Sequence, residues 1–193
     1  MQFQAVFSRL TALALLFVSF SMLVHAAPTL EARDVGTGCN AGCETGNQLV
    51  LTLTKAKAGV ELNGGKIEEA VFNGTDPTQY VVAMTAVIQD TVVAVIKLEM
   101  DLTGTINSKT TETAALLAAI INTTVKGLYA ASGKITLQVF LGLVQQTDAA
   151  LKALIAAVVN LIAAAAVFAA AAVDAAKLIQ IGLTYCANIL GLN

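Results

Sequence analysis

Apolar residues recur along this chain with a helical period. Over 78–102, Tyr80, Val81, Val82, Met84, Val87, Ile88, Val92, Val95, Ile96 and Leu98 surround one polar stripe of Gln79, Asp90, Lys97 and Asp101. This spacing predicts a helix with a broad apolar face. Asp76-Pro77 precedes it as a start signal, because aspartate caps a first turn and proline suits the first helical position. Gly104 closes it. The valine density would also suit strands, but a run this long without a turn signal exceeds strand length. A second helix is predicted over 109–131, stopped by Ser132-Gly133. Upstream, 46–62 reads as a helix ended by Asn63-Gly64-Gly65, with the LVLTLT alternation at 49–54 as a strand-like competitor. A short helical turn is predicted over 66–72. No proline follows Ile135, and breaks are predicted near Gln145-Gln146-Thr147-Asp148 and near Asp174. The pattern predicts an all-α fold: a single-domain bundle of about four to six helices over 45–193.

The most apolar stretch is 153–173, between Lys152 and Asp174, where Asn160 is the one polar residue and alanine dominates. As a continuous helix it would extend about 31 Å, the thickness of a bilayer core. Three fates are open to it: a buried central helix, a membrane-inserting helix, or a self-associating surface-active helix. Alanine offers lipid little apolar area and lets helices approach closely, and no tryptophan belt or basic cluster flanks the run. The buried central helix is the leading expectation.

The first 26 residues carry a different signal. Arg9, the apolar run 11–24 and the Val24-His25-Ala26 junction form a secretory leader pattern, too short in its apolar core for a spanning anchor. Cleavage after Ala26 is expected, and Arg33 offers a second, single-basic trimming position within an extended segment over 27–44. His25, the only histidine, leaves with the leader. The mature chain then lacks imidazole for a Ser-His or Cys-His pair, a histidine zinc site or a histidine pH switch.

Three cysteines remain: Cys39, Cys43 and Cys186. An odd number in a secreted chain leaves a free thiol or an intermolecular bond. A bridge from Cys39 or Cys43 to Cys186 would close a loop of roughly 140 residues, worth about 5 kcal/mol in the chain-entropy picture, whereas Cys39–Cys43 would close almost nothing. A long-range bridge is expected. Asn73-Gly74-Thr75 and Asn122-Thr123-Thr124 match the glycosylation acceptor pattern, the first in a more turn-like setting.

Composition adds a question of solubility. Hydrophobic residues make up 56% of the chain and charged residues 12%, about half the roughly 25% of an ordinary soluble domain. Net charge is −2, which excludes a basic nucleic-acid binder. The polarity is uneven: 34–112 holds most of the charged residues, and 113–193 holds only Lys126, Lys134, Lys152, Lys177, Asp148 and Asp174. No phosphate loop, GxSxG or clustered metal-ligand spacing appears. Glu68-Glu69 would point about 100° apart on a helix and reads as a solvated face. No catalytic, cofactor-binding or metal residue is assigned, and the chain is not expected to be an enzyme.

This profile, a charged 34–112 followed by an Ala/Leu/Ile/Val-rich 113–193, resembles secreted hyphal wall proteins of mushroom-forming fungi that are not hydrophobins. Hydrophobins themselves carry eight patterned cysteines, and this chain has three. The resemblance implies an extracellular or cell-wall role in aerial hypha formation and attachment to hydrophobic surfaces, without catalysis. Three functions are weighed: a structural, surface-active wall or matrix protein; a membrane-active pore former inserting 153–173; and a carrier of a hydrophobic ligand. The expected partners are a wall or hydrophobic surface, further copies of the chain, or membrane lipid, and no cofactor is expected.

Overall fold

The helix Thr45–Phe72 shows how the periodicity resolves. Leu49, Leu53, Ala56, Val60, Ile67 and Ala70 are all buried at intervals of three, four or seven, the spacing of one helical stripe. The alternating LVLTLT run is therefore helical, and Thr52 and Thr54 return their hydroxyls to the carbonyls of Gln48 and Val50. The structure, a computed structural model, describes residues 44–100 and 105–192. The expected leader, Cys39, Cys43, Asp101 and Gly104 lie outside the described residues.

Seven α-helices and one 3-10 turn are present among the described residues, slightly more than the expected four to six, and no strand. The helices are α1 (Thr45–Phe72), α2 (Thr78–Ile96), α3 (Thr110–Ala131), α4 (Leu137–Leu161), α5 (Ala165–Ala172), α6 (Ala175–Ile181) and α7 (Thr184–Ile189). The 3-10 turn, Thr105–Lys109, leads into α3. All belong to one compact unit, 39–193, around a single apolar core.

Four long helices make the frame. α1 turns back into α2 through Gly74, whose φ of 72° suits glycine, and through Asp76, whose carboxylate accepts from the Thr78 amide and hydroxyl. Those bonds hold the Asp76 carboxyl below its usual range. α3 runs alongside α1 in the same direction: Lys109 lies against Gly46 near the α1 start, and Lys126 pairs with Glu68 near its end. α1 packs against α2 and α3, and α2 packs against α4. α5 and α6 then rest on α3, and α7 rests on α4, so the C-terminal segment lines the α3 and α4 side.

Four expectations are corrected. Asn63-Gly64-Gly65 does not end α1. Asn63 Nδ2 donates to the Gly59 carbonyl (2.9 Å), and Gly64 is small enough for α3 to approach, since a Cβ there would meet Thr123 Cγ2 at 3.3 Å. The separate turn expected at 66–72 is thus the last part of α1. α2 stops at Ile96 instead of reaching 102, because the chain bends to place the Glu99 carbonyl on the Thr45 hydroxyl (2.9 Å) at the α1 start. No break occurs at 145–148: Thr147 and Asp148 are buried inside α4 and make tertiary hydrogen bonds.

The fourth correction concerns 153–173, which is not one helix. α4 ends at Leu161, Ile162 is extended (φ −135°, ψ 92°), and the chain turns before α5 begins. The 25 residues of α4 already extend about 37 Å. Turning at Ile162 lets Ala165 and Ala169 bury against the bundle rather than project past it. Asn160, expected either in the core or on an exposed stripe, is on the exposed side. The break expected near Asp174 is present, with Asp174 capping α6 by accepting from the Lys177 amide.

Candidate functional site

The few clusters of polar groups are structural in geometry. Glu68 pairs with Lys126 across α1 and α3 (2.8 Å), and Lys57 with Glu61 along α1 (3.2 Å). No group of three or more His, Cys, Asp or Glu side chains that could hold a metal occurs among the described residues. A groove of about 300 Å³ lies between α1 and α3, lined by Glu61, Gly64, Gly65, Glu68, Thr123, Lys126 and Gly127, but its charged groups already pair along its rim.

Cys186 is fully buried on α7 as a free thiol. Burial pushes that thiol up to about 12, and the nearby Asp148 carboxylate adds to the rise. Its expected bridge partners, Cys39 and Cys43, lie outside the described residues. Asp148 itself is 2% exposed. Its two oxygens accept from the backbone amides of Tyr185 and Cys186, each at 2.8 Å, at the start of α7. The hydroxyls of Thr85 and Thr147 meet at 2.7 Å between α2 and α4. These buried contacts fix the positions of α2, α4 and α7.

The two acceptor-pattern asparagines differ. Asn73 is exposed at the end of α1. Asn122 sits within α3, where Nδ2 donates to the Ala172 carbonyl (2.9 Å) and Oδ1 accepts from the Asp174 amide (3.0 Å). The amide nitrogen that a glycan would occupy is there committed to the fold.

The distinctive feature is where charge is missing. α1 carries Lys55, Lys57, Glu61, Lys66, Glu68 and Glu69. α2 carries Asp90 alone, and α4 carries Lys152 and the buried Asp148. α2 and α4 lie side by side, and the charges they expose are Asp90 and Lys152. On α2 the outward row is Val82, Ala86, Gln89, Val93 and Ile96; on α4 it includes Leu137, Val139, Gln146, Ala149 and Ala153. Ile96 and Leu137 are 68% and 73% exposed. α5 extends the theme: none of its eight residues is polar, yet only Ala165 and Ala169 are buried, leaving Val167 and Phe168 outward.

Sequence reasoning took the wet side of α2 to be Gln79, Asp90 and Lys97. That stripe is exposed, but the row of Val82, Ala86, Val93 and Ile96 is exposed beside it. α2 has two apolar rows at helical spacing, and packing between α1 and α4 consumes only the row of Val81, Met84, Ile88 and Val95. The second row was visible as spacing; which row faced inward was not. The division into a charged and an apolar half also dissolves in space, because α2 from the first joins α4 from the second.

Exposed apolar side chains in excess on charge-poor helices are a recognised mark of contact with another apolar body. Three helical stretches, Thr78–Ile96, Ile106–Ala131 and Leu137–Leu161, are long and apolar enough to cross a membrane by length and composition. Comparisons with protein-family models, curated proteins and solved structures found no match to this chain.

Proposed function

We propose that the protein is a secreted, non-catalytic structural protein of the cell wall or extracellular matrix, acting by adsorption to hydrophobic surfaces. The observation that carries this reading is the exposed Val82, Val93, Ile96, Leu137 and Val139 on α2 and α4, helices that carry few charges beside the charge-rich α1. A molecule with charge on one side and apolar side chains on another gains free energy by orienting at an air–water or solid interface, through removal of apolar area from water. The polar groups exposed on α2 and α4, Gln89, Asp90, Gln146 and Lys152 among them, are few, which suits a non-specific apolar surface better than a shaped ligand. The leader pattern and the low charge content support the same role in hyphal surface coating and attachment.

The test is pendant-drop tensiometry on the purified mature protein, followed by water-contact-angle measurement on a coated hydrophobic film. Adsorption should lower surface tension and make the film wettable. Surface tension equal to that of an inert globular protein of the same size would reject the reading.

The second reading is a membrane-active protein, favoured by the three helical stretches of spanning length. The inserting element would be α2, α3 or α4, since 153–173 is broken at Ile162. Release of a trapped dye from liposomes separates the two readings: leakage favours insertion, and tight vesicles favour adsorption.

A further inference from the structure

The C-terminal segment is built differently from the frame it rests on. α5, α6 and α7 have eight, seven and six residues, each below the roughly 12 to 15 residues an isolated helix needs. Their order therefore comes from docking. Ala165, Ala169, Leu178, Leu183, Cys186, Ala187 and Leu190 supply its buried side. Two side chains of the frame hold its backbone. Asn122 on α3 grips the α5–α6 link from both sides, through the Ala172 carbonyl and the Asp174 amide. Asp148 on α4 accepts from two amides in the first turn of α7, those of Tyr185 and Cys186.

The joint and the outer surface point to movement. Ile162, between α4 and α5, is extended, so a rotation there unwinds no helix. α5 buries two of its eight apolar residues in the docked position and turns Val167 and Phe168 out. An apolar phase that accepts α5 on all sides interacts better with the undocked segment than with the docked one, which is the condition for shifting the equilibrium.

We propose that residues 162–192 form a strap that undocks as a unit while α1–α4 stay folded, uncovering the sides of α3 and α4 and freeing α5 for an apolar phase. The link to adsorption rests on the surface-active reading above; the opening itself is a property of the protein in solution. Asn122 and Asp148 are the clasps.

Hydrogen exchange of the full mature chain, read by mass spectrometry in solution without any interface, tests this. Amides of 165–190 should exchange through an opening at least about tenfold more populated than the one exposing α1–α4. Asp148→Asn removes a charged acceptor, and Asn122→Ala removes the other clasp. Each should speed strap exchange by about tenfold, the cost of losing a strong hydrogen bond, with α1 and α2 rates unchanged. Thr85→Val, which breaks the Thr85–Thr147 contact in the frame, should leave the strap's exchange rate unchanged. If Asp148→Asn fails to fold, Asn122→Ala gives the same reading at the other clasp. Exchange of 165–190 in one cooperative step with α1–α4, in the wild type and in Asn122→Ala, overturns the strap. That failure would leave tensiometry unaffected, and failed adsorption would leave strap exchange standing.

Discussion

Two glycines of α1 make opposite demands on a side chain. A Cβ on Gly59 would meet Val87 Cγ1 of α2 at 2.9 Å, whereas a Cβ on Gly65 would meet nothing within 4 Å. Gly65→Ala should therefore stabilise the protein by about 0.5–1 kcal/mol, the helix-propensity difference. Gly59→Leu should destabilise it by about 1–3 kcal/mol through overpacking against α2. Urea midpoints of the two variants check this, and equal shifts of the same sign would contradict it. Cys186 sets a second residue-scale expectation. Burial pushes its folded thiol up to about 12, above the roughly 8.5 of an unfolded thiol. The unfolded chain then loses the proton first, so this contribution to stability is full below about 8.5 and falls as pH rises toward 12. The stability difference between wild type and Cys186→Ala should shrink across that window in denaturant titrations, and a constant difference would contradict the assignment.

At the scale of elements, what the sequence revealed was type, and what it hid was length and docking. The helical character of 46–62, 78–96 and 109–131 was legible because each shows a buried row at helical spacing, with Asp76-Pro77 and Ser132-Gly133 as punctuation. Asn63-Gly64-Gly65 was misleading because glycine has two uses: it ends helices by conformation and it admits neighbouring helices by size. Here the second operates, with α3 against Gly64 and Gly127 against Ile67. Gln145-Gln146-Thr147-Asp148 was misleading for a related reason. Its polarity looked like a turn, but Thr147 and Asp148 find buried partners on α2 and α7 that are distant in sequence. The opposite error fell at 153–173. No glycine or proline marks the break at Ile162, and the turn is imposed by burial of Ala165 and Ala169 on the frame.

For the whole molecule, low charge content does not mean a uniformly apolar surface. Charged side chains gather on α1, which packs against α2 and α3, while α2 and α4 together expose Asp90 and Lys152 as their charges. Composition showed how little charge there was; only packing showed the side from which it is missing. The central claim is that this face carries adsorption. Its most direct test is pendant-drop tensiometry of the mature wild type beside a Val82→Lys/Val93→Lys double variant. Both valines are about half exposed, so the variant should keep its helicity and fold, with surface changes of about 0.5 kcal/mol or less at each site. The wild type should lower surface tension promptly, and the variant should adsorb several-fold more slowly at equal concentration, because two buried charges would be costly in the apolar phase. Equal adsorption by the two folded proteins would contradict the claim.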